Sequence, residues 1–202
     1  MIGNHPPGNL SGVDDALIGT QVPHRRLTDP ASAIQALDRA IPGLPALRRT
    51  GPAGIDWERV ETGLGVRLPS DYKLLGDTYP SLAFGDFLFV GFPAPGREKA
   101  WAEDSDDLEI LAEWCADAET SLPLRPFPAP GGLLPWATSY SGDYFLWTTA
   151  GAGSDEWTVT VASRNGDWWH YEAGAVQFLA DLISGSLEPW GLPTVRPSVK
   201  GC

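Results

Sequence analysis

The sequence predicts an α+β chain on three observations. Apolar residues recur at helical spacing towards both ends and once in the middle. Runs of strand length, either alternating or wholly apolar, fill the stretches between. Glycine-bearing turns, Ser141-Gly142-Asp143 and Asn165-Gly166 among them, join neighbouring runs. The 202 residues include 43% hydrophobic side chains and nine Trp, enough to bury a real core, and suit one domain with flanking segments. Fourteen Lys and Arg against 26 Asp and Glu leave a formal charge of −12. That balance excludes direct binding to a nucleic-acid backbone, which needs a surplus of cations, and makes a basic partner the natural complement.

From residue 1 to 30 the chain is rich in Pro, Gly, Asn and Thr and reads as a flexible leader, with too little apolar surface to offset ordering entropy. Residues 31–53 form a helical lead-in. Asp29-Pro30 supplies an N-cap and a Pro at N1, and Ile34, Leu37 and Ile41 make one apolar stripe before Pro42-Gly43. That stripe packs either on the main domain or against a second copy. The domain itself spans 54–191. Asp56 caps a helix carrying Trp57, Val60 and Leu64, which Gly63 and Gly65 end. A second helix opens at Leu68-Pro69-Ser70-Asp71 and carries Tyr72, Leu75 and Tyr79. From Ser81 to Phe92 the period changes, and the run Phe87-Leu88-Phe89-Val90, closed by Gly91 and Pro93, is apolar on both faces as a strand near the middle of a sheet is.

Residues 105–119 return to helical spacing. Leu108, Leu111, Ala112 and Cys115 share one stripe, and Asp106, Glu109, Glu113 and Asp117 share the opposite side. A proline-rich loop follows, then strands at Tyr144–Thr149 and Trp157–Ser163. The second alternates Trp157, Val159, Val161 against Thr158 and Thr160, so one of its faces is expected to be wet. The turn after it fixes where the next aromatics point. A two-residue loop would set His170 and Glu172 on the apolar face. A three-residue loop, Arg164 to Gly166 with Gly166 left-handed, sets Trp169 and Tyr171 there and turns Trp168 and His170 outward, which buries no charge. A last helix carries Val176, Leu179, Leu182 and Ile183 to Gly185, and 192–202 read as a loose tail.

These segments resemble the SUKH superfamily (Smi/Knr-like), named for bacterial immunity proteins, a yeast cell-wall-assembly regulator and herpesvirus proteins. The likeness lies in Ile55-Asp56-Trp57-Glu58-Arg59-Val60-Glu61, in Gly65 with Leu68-Pro69-Ser70-Asp71-Tyr72-Lys73, and in the aromatic run from Gly85 to Phe89. It continues through Leu134-Pro135-Trp136, Gly142-Asp143 with Trp147, Trp157, and Phe178-Leu179 with Gly185. The resemblance implies an α+β domain whose N-terminal helices pack on a mainly antiparallel sheet, with helices after it. It also implies binding in place of catalysis: many bacterial members resemble immunity proteins seated on a toxin domain, often a nuclease, and others regulate or scaffold. It carries over no catalytic residue.

The residues themselves offer no enzyme. Only three histidines are present, and His170 alone falls in the folded part, with no second His or Cys at ligand spacing, so no metal or cofactor is expected. Phosphate-loop, Gly-x-Ser-x-Gly and dinucleotide motifs are lacking. Trp57, Trp136, Trp147 and Trp157 read as core. Trp101, Trp114 and Trp168 are candidates for an interface anchor. From Glu98 to Glu119 there are nine carboxylates against one Lys. That face either merely solvates the protein or stands in for nucleic acid in the groove of a basic partner. The candidate contact residues are therefore Asp104, Asp106, Asp107, Glu109, Glu113, Asp117, Trp114 and Trp168. A cognate toxin or other basic protein is the expected partner, with a regulatory or scaffolding module as the alternative. With Cys115 and Cys202 alone, no long apolar span and no basic leader, the chain is expected to be cytoplasmic, unattached to membrane, and monomeric or weakly dimeric.

Overall fold

The chain builds an eight-stranded sheet with helices on both faces, as seen in a computed structural model that describes residues 17–104, 106–117 and 124–202. In order, these carry β1 (Leu17–Gln21), α1 (Pro30–Ala40), α2 (Trp57–Leu64), α3 (Ser70–Thr78), β2 (Leu82–Phe84) and β3 (Leu88–Val90). Then come α4 (Glu98–Ala102), α5 (Asp106–Asp117), β4 (Leu133–Ser139), β5 (Tyr144–Thr148), β6 (Thr158–Ala162), β7 (Trp168–Tyr171), α6 (Ala175–Ser184) and β8 (Val199–Gly201). The strand order is β1-β7-β6-β5-β4-β3-β2-β8, antiparallel except that β1 runs parallel to β7.

The helix ends follow the local chemistry. Asp29 accepts the Ser32 N–H at 2.9 Å at the start of α1, with Pro30 in the first turn. Asp56 accepts the Arg59 N–H at 3.1 Å at the start of α2, and Gly65, at φ +73°, ends it as only glycine does without strain. Asp71 on α3 acts across the fold: its Oδ2 accepts the Val176 N–H at 3.1 Å and so caps α6. Gly174 admits that carboxylate, since a Cβ there would stand 2.8 Å from it.

Helices α1, α3 and α6 cover one face of the sheet. Leu37, Ile41, Tyr72, Leu75 and Phe178 meet Phe145, Trp147, Val159, Val161, Trp169 and Tyr171 in a single core. Burying each such large side chain contributes about 1.5–3 kcal/mol. The apolar stripe of α1 is therefore satisfied within the molecule, by α6 and α3. The β6–β7 register is the one the three-residue loop requires: Val161 faces Trp169, Val159 faces Tyr171, and Ser163 donates to the Asp167 carbonyl around Gly166 at φ +90°.

Four features differ from expectation. Residues 17–30, expected within the leader, are ordered on the domain. β1 adds to β7, the Leu27 N–H donates to Gln177 Oε1 at 2.7 Å, and Gln177 Nε2 donates to the Arg25 carbonyl at 2.8 Å. Backbone pairing onto an otherwise open strand edge holds this segment, and that needs no apolar period; residues 1–16 lie outside those described. Secondly, the expected strand at 87–90 is the second arm of a hairpin, with β2 before it. Gly85 to Phe87 make the turn, with Gly85 and Asp86 both at positive φ, +60° and +53°, and the Phe87 N–H donates to the Phe84 carbonyl. Thirdly, the tail contributes β8 along β2. Fourthly, the face of β6 expected to be wet is covered in part by α5, and Thr160 on it is fully buried.

Candidate partner-binding surface

Helix α5 lies across the sheet face opposite the main core. Three of the four residues of its predicted apolar stripe face the sheet: Leu111 is fully buried among Leu133, Tyr144, Leu146, Ala162 and Trp168, with Leu108 and Cys115 at the margin beside Trp114, whereas Ala112 is exposed. Trp114 meets the Tyr144 ring edge-on at 5.3 Å, and the Tyr144 hydroxyl donates to Asp107 Oδ1 at 3.0 Å. Burial, with Asp107 adding to it, pushes the Tyr144 phenol up to about 12. Burial likewise pushes the Cys115 thiol up to about 11, which makes it a poor nucleophile.

The other side of the helix is a carboxylate face. Asp106, Glu109 and Glu113 are exposed there, Asp104 and Asp107 are exposed towards the cleft edge, and the side chain of Asp117 lies outside the described residues. The structure thus divides the five acids: Asp106, Glu109 and Glu113 lie on the outer side of α5, and Asp104 and Asp107 lie beside the cleft. It does not bring Trp168 to them. Trp168 does turn away from the main core, as its register requires, yet it is only 3% exposed because α5 lies over it, so it is a packing residue and no anchor. Trp114 is half-buried against Tyr144 and offers only an edge.

Beside α5 one ladder of the sheet is short. β3 pairs with β4 only at Leu88–Ser139 and Phe89–Thr138, so the ladder stops short of Val90. A cleft of about 180 Å³ opens there, walled by Phe89, Trp136 and Trp147 from the sheet and by Leu64, Trp101 and Leu108 from the helices; Asp104 and Asp107 also line it. The Trp136 and Trp147 indole N–H groups are buried without an acceptor among the described residues. Trp101, one of the three candidate anchors, is half-buried in this wall.

Its helix α4 is held in place from two sides. Gly63 on α2 allows the approach, since a Cβ there would lie 2.7 Å from that of Ala102. The buried Glu98 carboxylate accepts the N–H groups of Gly96 at 3.0 Å and Asp56 at 3.3 Å. Backbone N–H groups, its own first and then that of Gly96, hold Glu98 below the usual carboxylate range against the opposing effect of burial. Neither α4 nor the cleft was foreseen from the sequence. Five helical residues are too few to show a period, and a ladder that stops short leaves no pattern.

His170 is a satisfied strand residue: Nδ1 shares a hydrogen bond with Thr160 Oγ1 at 2.7 Å, and Thr160 in turn with Thr148 at 2.6 Å. Among the described residues no group of three or more His, Cys, Asp or Glu is placed to hold a metal ion.

The family described as SUKH_6, SMI1-KNR4 cell-wall, matches residues 55–179, more than half of the chain. The chain belongs to the SUKH superfamily. The SUKH match runs from the residue before the α2 cap into α6, so it includes α5 and the cleft, while β1, α1 and β8 lie outside it. SUKH proteins are generally non-enzymatic. A search of curated proteins and a search of solved structures each return no match.

Proposed function

We propose that this SUKH protein is a non-enzymatic binding domain of the immunity type, which neutralises a basic toxin by sitting on it through the carboxylate face of α5. The observation that carries this reading is the segregation of chemistry on α5. Leu111 fixes the helix to the sheet, and Asp106, Glu109 and Glu113 project from the opposite side with no basic residue in the helix. Asp106 and Glu109 lie in the first turn, where the macrodipole favours them, but helix stability does not account for Glu113 beyond it. A nuclease grips nucleic acid with Lys and Arg, so a rigid row of carboxylates meets the same side chains and blocks the same groove. Family membership supports the binding role, and no helix among the described residues is long and apolar enough to cross a membrane.

The test is co-expression with the toxin domain encoded by a neighbouring gene. Growth rescue together with co-purification of a stoichiometric complex supports the reading. Rescue without a complex, or neither, overturns it.

A further inference from the structure

The cleft beside α5 combines two features that serve one kind of guest. Its walls are aromatic and aliphatic, with the rings of Trp101 and Phe89 only half-buried, and two carboxylates, Asp104 and Asp107, lie along it on exposed positions. An apolar guest would strip water from those carboxylates and give them nothing beyond the Asp106 N–H and the Tyr144 hydroxyl they already accept, and an anion would be repelled by them. A cation with a flat, weakly hydrated head satisfies both, stacking on an indole while donating to carboxylates. The acidic balance of the whole chain draws such a cation towards the surface. By contrast, the wide groove beside β1 and β7 is lined by His24, Arg25, Arg26 and His170 and does not complement the same guest.

We propose that this cleft is the receptor for an arginine side chain of the bound partner, its guanidinium placed between Trp101 and the carboxylates of Asp104 and Asp107. The inference rests on the binding reading above and makes it specific: the α5 face supplies long-range attraction, and the cleft supplies the anchor. Arginine is favoured over lysine because the guanidinium plane stacks on an indole and forks onto carboxylates, whereas a compact ammonium keeps its hydration.

The experiment needs no partner. The full chain, labelled with 15N, is titrated with N-acetyl-arginine methylamide, and the indole N–H resonances are followed. Trp101, Trp136 and Trp147 should shift saturably while Trp190, which packs on Trp169 and beside Gly19 of β1, stays still. The neutral citrulline analogue should need at least about tenfold more ligand for the same shift, and the lysine analogue several-fold more. In the Asp104→Asn, Asp107→Asn double variant, which keeps an acceptor for the Tyr144 hydroxyl, the preference for arginine over citrulline should vanish. Equal shifts with citrulline, shifts spread over all indoles, or a lysine analogue that binds as tightly would each overturn the assignment. Because the wild-type comparison stands alone, it holds even if the variant misfolds. A protein that binds its toxin but shows no arginine preference loses this inference alone, whereas one that prefers arginine but binds no toxin loses the immunity reading.

Discussion

Replacing Leu111 by Ala should release α5 from the sheet without unfolding the domain. Leu111 is the fully buried residue of the helix, so losing three carbons there costs roughly 2.4 kcal/mol in transfer, and the residual cavity brings the total to about 3 kcal/mol. Each other contact of the helix is smaller: Leu108 and Cys115 pack only at the margin, and the Trp114–Tyr144 contact and the Tyr144–Asp107 hydrogen bond are worth about 1 kcal/mol each. A loss of about 3 kcal/mol at the largest contact should raise the equilibrium for local opening of the helix about 100-fold. Cys115 is the reporter, being half-buried at this seam with its thiol pushed up to about 11. At pH 8 a disulfide reagent should modify the exposed Cys202 quickly in both proteins, and Cys115 about 100-fold faster in the variant. Amides of β5 and β6 should keep their exchange protection. Unchanged Cys115 reactivity, or equal loss of protection across the sheet, would refute the view that α5 is a separately docked element.

Three further outcomes follow from other seams. Gly63→Ala should lower the melting temperature, because overpacking against Ala102 costs about 1–3 kcal/mol while helix propensity returns only about 1 kcal/mol; a rise would show that α4 simply moves away. Asp71→Ala should lose about 1 kcal/mol in denaturant unfolding through the missing α6 cap, and Asp71→Asn, which keeps an acceptor, less than half of that. Burial, the main influence, pushes the Asp71 carboxyl up, so the neutral amide is the milder change. The Tyr144 phenol, ordinarily near 10, is held at about 12, so its folded form binds its proton more tightly than the unfolded one. Its contribution is complete below pH 10 and fades from pH 10 to 12. Tyr144→Phe should flatten the loss of stability in that window, and an unaltered pH profile would contradict the assignment.

What the residues disclosed in advance was local. Asp29 and Asp56 mark helix starts, Gly65 and Gly185 mark stops, and alternation plus Gly166 fixes which way Trp168 and Trp169 point. What stayed hidden depends on distant partners. Alternation tells which face Trp168 occupies but not that a helix 50 residues earlier covers it, so the outward residue becomes a buried one. β1 and β8 join the sheet through backbone groups that every sequence carries. The turn from Gly85 to Phe87 is masked by the apolar residues on both sides of it. For the candidate surface, the acidic side of α5 was legible from its spacing. The cleft arises where the β3–β4 ladder stops and α4 leans in, and no single segment encodes that.

The most direct test of the central claim is the association rate with the toxin domain, measured by stopped flow against ionic strength for the wild type and for a variant with Asp106, Glu109 and Glu113 changed to Ser. The exposed positions leave the fold intact. At about 10 mM salt, where charges act over roughly 30 Å, the variant should associate about tenfold more slowly, and near 0.15 M the gap should close to about twofold. Equal rates at low salt would remove this helix from the encounter and contradict the account.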